Sequence, residues 1–508
     1  MIPVYRGSQV RTAEIPLVRE SGAFRLMRLA ADALAHHAVQ MLREYSGKLY
    51  GSRVVGLVGP GNNGGDGLYA MASLAKRGVR CTAVLLDERA HPEALKAFGR
   101  AGGRSAAATY LPELLEDCDL LIDAVYGTGV RPGVVLPEIP RGVPVLACDL
   151  PSGVNADTGA VAPTVIAADR TVSFGALKTG LVVGPGHLVS GQINVIDIGL
   201  RETLPAPEAW VVQGDDLGLL LNRSSDWRVS GQHKYQRGVL GLFAGSPRYP
   251  GAAVLTARAA ASSGLGLLRT MVPDQVAPAM AGAVPEAVPL SSQELTALLT
   301  HSRRNDRESA KRIGAWAVGP GLEDTPENHQ TLAQILAADT PCVVDAGALG
   351  MLEPGENHQL RILTPHTGEL HSLLSKAGVR VSATDIAEDP VRWARWAAVA
   401  YDCVILLKGS ATICTAPDGY TLIVHAATPD LATAGSGDVL TGLLGTLVAA
   451  TKFPAKASDA NPMHRLTDIA ACGALIHAHA GALAALEGTL SAVDLLRALP
   501  RAARDLGL

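Results

Sequence analysis

The chain has 508 residues, of which 48% are hydrophobic, 18% charged and only 4% aromatic, with 54 glycines. This excludes a disordered or fibrous chain, and it suits a glycine-loop α/β enzyme better than an aromatic-rich binder of carbohydrate or single-stranded nucleic acid. A balance of 44 Lys+Arg against 48 Asp+Glu leaves a net charge of −4, which offers no general attraction for nucleic acid or anionic lipid.

In chain order, the first 48 residues read as helical, with an apolar stripe through Leu26, Leu29, Leu34, Val39 and Leu42. From residue 53 to about 200, short β-branched runs alternate with helical stretches. The strand candidates are 53–59, 80–86, 119–125, 143–149, 169–174 and 193–199. Such alternation predicts a mainly parallel sheet covered on both faces. The pattern breaks between about 203 and 236, where LPAPEAW and RSSDWRVSGQHKYQR read as a boundary region. A second alternating pattern starts at 239 and yields a larger α/β domain, closed by long helices near 437–450 and 464–487. The reading is α/β with two domains, over 1–215 and 228–508.

No run approaches the roughly 18 apolar residues of a membrane span, and the N-terminus carries no stretch of signal-peptide length. The expectation is a cytoplasmic protein with no nucleic-acid and no membrane partner. None of the seven cysteines forms a CxxC pair, so buried thiols are expected rather than a disulfide framework.

Three loops in the first domain carry chemistry. VVGLVGPGNNGGDG (54–67) is a strand running into a glycine loop that opens a helix. Its glycines permit positive φ and close backbone approach, and its amides with the helix N-terminus make an anion site. It does not match the P-loop. DAVYGTGVRPG (123–133) and DLPSGVNADTG (149–159) follow two further strands. Ligands of open α/β sheets bind at the carboxyl ends of strands. Asn63, Asp123 and Ser152 would therefore converge on one cation, and an oxygen-only donor set suits a hard ion rather than zinc. Asp149 would face the same crevice, placed for proton transfer.

In the second domain, TPDLATAGSGDVLTGLLGTLVA (428–449) is a glycine turn running into an apolar helix, with Asp438 in its first turn. The amides of Gly435–Gly437 offer an oxyanion or phosphate hole, and Asp438 is a candidate base. LLKGSAT (406–412) supplies Lys408 and Thr412 for phosphate contacts. LTPHTGEL (363–370) places His366 at a strand end. AVGPGL (317–322) adds Gly319 and Gly321, and Gly251–Ala252–Ala253 lets a ligand approach a helix N-terminus. His477 and His479 suggest a metal pair, but their i, i+2 spacing puts them on different helix faces, which favours a structural role.

The first-domain loops resemble the YjeF N-terminal family, the NAD(P)H-hydrate epimerases. The second-domain set resembles the ribokinase-like NAD(P)H-hydrate dehydratases, and the two halves in this order are similar to the bifunctional repair enzymes. The resemblance implies a Rossmann-like three-layer N-terminal domain and a ribokinase-like three-layer C-terminal domain. In the first, it implies hydrate binding by Asn62, Asn63, Gly64, Gly65, Asp66, Gly127, Thr128, Gly129, Val130, Arg131, Pro132 and Gly133. It further implies potassium at Asn63, Asp123 and Ser152, with Asp149 as the acid/base that touches the substrate and Lys178 in support. In the second, it implies that Lys408, Gly409, Ser410, Ala411, Thr412 and Gly437 bind ADP with Mg²⁺. Ala252, Gly321, His366 and the base Asp438 would contact the hydrate. The expected partners are NADHX, NADPHX and ADP, in a homo-oligomer. The alternative is a ribokinase-type small-molecule kinase fused to a non-catalytic binding domain. Two departures stand out: DAGAL has Gly347 where the family commonly carries a second aspartate, and HKYQRG has extra bulk after its lysine.

Overall fold

The structure, a computed structural model, describes all residues except 88, 129–134, 223–232, 302–312, 356–359 and 454–460. The chain divides into two compact units: Ile2–Ala209 with Ala387–Asp389, and Trp210–Ile386 with Pro390–Leu508 and Met1.

In the first unit the strands are β1 (Ile2–Tyr5), β2 (Arg53–Val58), β3 (Arg80–Leu85), β4 (Arg104–Ala107), β5 (Leu120–Ala124), β6 (Val145–Cys148), β7 (Arg170–Phe174), β8 (Leu177–Lys178) and β9 (Gln192–Ile196). Seven of them form a sheet in the order β4-β3-β2-β5-β6-β7-β9, parallel throughout. Strands buried on both faces need near-continuous apolar runs, and β5 and β6 are buried at every position. Period-two alternation splits their side chains between two cores. Val54, Val58, Ile122 and Leu146 pack under the helices Ala23–Ser46 and Asn62–Ala75. Val55, Leu57, Leu121 and Val145 pack on the opposite face with Leu111 and Leu115.

The strand order reverses between β2 and β5, and that reversal opens a crevice at their carboxyl ends. The N-terminus departs from the helical expectation. Ile2–Tyr5 is a strand parallel to β8, with Val4 opposite Leu177 and Tyr5 opposite Lys178; two helices, Gly7–Ser21 and Ala23–Ser46, follow it.

The second unit contains β10 (Ala209–Val211, of which Ala209 falls to the first unit), β11 (Val239–Phe243), β12 (Leu267–Met271), β13 (Val288–Pro289), β14 (Ala315–Val318), β15 (Cys342–Val344), β16 (Arg361–Leu363), β17 (Val404–Leu407), β18 (Ala411–Thr415) and β19 (Thr421–His425). Their order is β13-β12-β11-β14-β15-β16-β17-β18-β19-β10. Pairing is parallel up to β17 and antiparallel for β17–β18 and β18–β19. The core gathers Leu240, Leu242, Ala317, Val343, Ile362 and Leu406 with the helices Pro250–Ser262, Ser436–Ala449 and Pro462–Ala485.

Gly442 lets two of those helices touch, because a Cβ there would lie 2.2 Å from the Thr256 carbonyl oxygen. Helix Pro462–Ala485 is long and apolar enough to cross a membrane, but 72% of its most apolar window is buried inside the fold. A third closing helix, Ala492–Asp505, was not expected. It starts at a Ser491–Asp494 capping box and buries Leu495, Leu496 and Leu499. All seven cysteines are free thiols.

Candidate active sites

In the first unit, β2 ends in Pro60–Gly61 and hands over to helix Asn62–Ala75. None of the loop glycines 59, 61, 64, 65 and 67 has a positive φ, contrary to the conformational half of the expectation. Close approach is what they supply. A Cβ at Gly59 would sit 2.0 Å from the Val125 carbonyl oxygen, and one at Gly67 2.4 Å from the Ala124 Cβ. The helix thereby presses onto β5 and brings its first turn to the switch point.

A cavity of about 360 Å³ opens there. Its walls include Asn62, Asn63, Asp66, Gly127, Thr128 and Asp149, six of the residues expected from sequence. Gly64 and Gly65 lie behind this wall, and the Gly65 N–H already donates to the Gly61 carbonyl at 3.1 Å. Gly129, Val130, Arg131, Pro132 and Gly133 lie outside the described residues. Sequence reasoning missed the opposite wall, built by Arg11, Glu14, Val18 and Met27 of the N-terminal helices together with Phe174 and Ile198. Arg11 donates to the Thr128 carbonyl.

Asp149 sits in a strained turn. Its φ is 69°, and the Leu150 N–H donates to the Cys148 carbonyl across it at 2.9 Å. A non-glycine residue held this way costs about 1–3 kcal/mol. The turn aims the carboxylate at Lys178, whose side chain is 1% exposed. The ammonium donates to Asp149 Oδ1 at 2.5 Å, to the Phe174 carbonyl at 2.6 Å and to Ser173 Oγ at 3.0 Å. Asp149 Oδ1 also accepts from the Phe174 N–H at 3.2 Å. Oδ2 is left toward Gly127, where a Cβ would come within 3.1 Å of it and 3.3 Å of Asn63 Oδ1.

Asp123 is fully buried. It accepts from Ser152 Oγ at 2.6 Å and from the Ser152 N–H at 2.7 Å. Burial pushes its carboxyl up to about 6 against these bonds. Asp123 and Ser152 are thus in direct contact. Asn63 makes no hydrogen bond to either among the described residues, and its buried Nδ2 has no partner there.

In the second unit, Gly435 takes a left-handed conformation at φ 85° and starts helix Ser436–Ala449. Ser436 is pinned from behind by His477, whose Nε2 lies 3.0 Å from the Ser436 carbonyl and 3.3 Å from its Oγ. Burial lowers this imidazole to about 4. His479 is placed separately, near Asp505 at 3.7 Å. No group of three His, Cys, Asp or Glu is placed to hold a metal among the described residues.

Lys408 lies beside this turn. Its ammonium donates to the buried Asp345 at 2.9 Å and lies 3.8 Å from Glu369, while Thr441 Oγ1 donates to the other Asp345 oxygen at 2.7 Å. Burial works against the ammonium, but Asp345, Glu369 and Asp438 outweigh it and raise its pKa. Burial and then Asp345 push the Asp438 carboxyl up to about 6, with Lys408 opposing.

Gly437 faces this group: a Cβ there would lie 3.5 Å from the Lys408 ammonium and 3.9 Å from Asp345. Gly321, at φ 69°, packs on Ala252, with a Cβ there 3.0 Å from the Ala252 Cβ. His366 caps helix Thr367–Lys376, its Nδ1 accepting from the Gly368 and Glu369 N–H groups. Gly409 and Ser410 lie in the turn from β17 into β18, and Ala411 and Thr412 begin β18. At Gly347 a Cβ would meet the Leu322 carbonyl oxygen at 2.2 Å, so a side chain there requires the 319–322 turn to shift.

A cavity at the switch point of one α/β unit and a glycine-capped helix beside a lysine and an acid in the other define a two-unit α/β enzyme. The model for the YjeF-related protein N-terminus matches residues 23–180, and that for NAD(P)H-hydrate dehydratase matches 240–501. The bifunctional NAD(P)H-hydrate repair enzyme of Mycobacterium leprae is 34% identical over 500 residues, 95% of this chain and 94% of the relative. That of Mycobacterium tuberculosis is 35% identical over 464 residues, 88% and 89% of the two chains. The ADP/ATP-dependent NAD(P)H-hydrate dehydratase of Bacillus subtilis, co-crystallised with ATP and Mg²⁺, is 27% identical with a TM-score of 0.48, over 59% of this chain and 99% of that one.

The chain belongs to the bifunctional NAD(P)H-hydrate repair enzymes. It joins an epimerase unit to a dehydratase unit, each α/β.

Proposed function

We propose that the first unit exchanges the R and S epimers of NADHX and NADPHX at the switch-point cavity, and that the second dehydrates the S epimer with ADP, releasing AMP and phosphate. The observation that carries this reading is an acid within the field of a lysine in each unit: Asp149 in direct contact with Lys178, and the half-buried Asp438 near Lys408, whose charge opposes the rise of its carboxyl. The hydrate bears its added hydroxyl at C6 of the nicotinamide ring. Hydroxide leaves poorly, so Asp438 accepts the hydroxyl proton while the oxygen attacks the terminal phosphorus of ADP. Phosphate then leaves with the ring-nitrogen electrons assisting, and loss of a C5 proton to solvent restores the C5=C6 bond and the nitrogen lone pair. Lys408 and the amides of the 435–437 turn stabilise the transferring charge. Mg²⁺ neutralises nucleotide phosphates and keeps several waters, so it is carried by the nucleotide and needs no dedicated protein cage.

Chromatography of a mixed R/S hydrate, incubated with the full chain, Mg²⁺ and ADP or ATP, tests the reading. Both epimers should disappear as absorbance near 340 nm returns. Accumulation of a phosphorylated product without that return identifies a kinase instead.

Lys408→Ala should raise the Kd for ADP at least about tenfold, as expected for loss of a charge-assisted bond, with hydrate binding changed far less. Equal losses, measured by separate titrations, would point to misfolding around Asp345.

Potassium fits the first unit because Asp123 is a fully buried carboxylate whose described partners are N–H and O–H groups, none of them a cation. Held by Asn63, Asp123 and Ser152, the ion supplies positive charge for the substrate's phosphates. Asp123→Ala should stall R consumption while S is still dehydrated, and wild-type exchange should slow in potassium-free buffer. Equal exchange rates in both buffers, and in the variant, would sink the cation assignment.

A further inference from the structure

Asp66 is the buried acid for which the reading above has no chemical use. It stands on the second turn of helix Asn62–Ala75, lines the cavity and is 8% exposed. Its Oδ1 has no hydrogen-bond partner among the described residues. Three carboxyl groups, Glu14, Asp66 and Asp149, line this one cavity. Lys178 is bound to Asp149, and Arg11 is turned to the Thr128 carbonyl. Lys178 thus gives Asp149 a counter-ion, while Asp66 faces the same space without one. Burial, then the charges of Asp149 and Glu14, push its carboxyl well above the usual range, which favours its protonated form. The Glu14 carboxyl is also raised by burial, but Lys178 and Arg11 pull it back. The Cys148 thiol is held protonated by burial. Two carboxyls in one site, one beside a lysine and the other buried without a counter-ion, are the arrangement that separates a base from an acid.

We propose that Asp66 is the acid of the epimerase site, giving a proton to ring nitrogen N1 of the hydrate while Asp149 takes one from the C6 hydroxyl. This rests on the epimerase reading of the first unit. Inverting C6 requires breaking one of its bonds. Asp149 removes the hydroxyl proton and the O–H electrons form the C6=O bond. The C6–N1 bond breaks, its electron pair moves to N1, and Asp66 protonates that nitrogen. The ring is now open, with an aldehyde at C6, a protonated Asp149 and an ionised Asp66. Rotation about C5–C6 presents the other face of the aldehyde. N1 then attacks it with its electron pair, Asp66 takes back the N–H proton, and Asp149 returns its proton to the oxygen. Nothing is oxidised or reduced, no water enters or leaves, and both carboxyls end as they began. Expelling hydroxide instead would leave an N1=C6 iminium. With a carboxylate beside its C5 hydrogens, that iminium would collapse to the dihydropyridine and leave the second unit's nucleotide-driven step without a purpose.

The test follows R/S exchange of the pure R hydrate by chromatography, without nucleotide, in the full chain. Asp66→Asn keeps the shape and offers an N–H, but it has no proton to transfer. Turnover should fall about 10²–10⁴-fold, the usual scale for a lost general acid, with KM within about threefold. Asp66→Glu should recover at least tenfold over the asparagine variant. With ADP and Mg²⁺, both variants should dehydrate the S hydrate at the wild-type rate, which reports an intact chain. Exchange by Asp66→Asn within threefold of wild type would overturn the proposal. So would a raised KM at unchanged turnover, which makes Asp66 a binding group, or a glutamate variant no better than the asparagine. Absence of exchange in the wild type would remove the epimerase reading itself.

Discussion

Asp438→Asn abolishes dehydration, lowering turnover about 10²–10⁴-fold, while ADP still binds. The amide fills the same place beside the 435–437 turn but cannot accept the hydroxyl proton. Binding persists because Lys408 keeps its ties to Asp345 and Glu369. The same residue sets a pH dependence. Its carboxyl is raised to about 6, and only the ionised form is a base. Wild-type turnover should therefore climb with pH, reach half its plateau near 6 and stay flat above. The variant should lack that rise. R/S exchange in the first unit should be unchanged. Turnover above about a tenth of wild type, measured as the return of absorbance near 340 nm, would remove Asp438 from the base role.

Lys178→Met fails twice, in stability and in exchange. Methionine fills the volume but removes the ammonium that holds Asp149, and Asp149 is itself only 9% exposed. Stranding one member of a buried ion pair costs about 3–5 kcal/mol, here on top of the strained backbone at Asp149. At about 2–4 °C per kcal/mol for a unit of this size, the transition of the first unit should fall by roughly 10 °C in calorimetry of the full chain. Exchange should fall with it even at low temperature, because Asp149 loses the ammonium that holds its carboxylate in the cavity. A loss below about 1 kcal/mol with normal exchange would show that the pair is dispensable.

The elements that sequence revealed share a physical origin. Buried parallel strands such as Leu120–Ala124 must be continuous apolar runs, and the loops after them must carry polar and glycine residues. Both signals are local. What escaped depends on partners remote in sequence. Ile2–Tyr5 has four residues and β8 only two, too few for any periodicity to register. The cavity wall of Arg11 and Glu14 reads in isolation as charges on a helix, and only the fold brings it opposite Asn63 and Asp66. Lys178 could be placed near a strand end, but its insertion beneath Asp149 requires the turn at φ 69°, which nothing local announces. The loop glycines are legible, but only half of their purpose is: they admit the Val125 carbonyl and the Ala124 methyl group rather than an unusual φ. Helix Ala492–Asp505 had a readable start in Ser491–Asp494 and was overlooked beside its longer neighbours.

Gly347 ties its own size to the lysine network. The Leu322 carbonyl oxygen stands 2.2 Å from where any side chain there would begin. A larger residue requires the 319–322 turn to retreat, and that turn is itself packed against the Asp345 carbonyl through Gly319. A substitution at 347 is thereby passed through the turn to Asp345 and to the Lys408 ammonium bound to it.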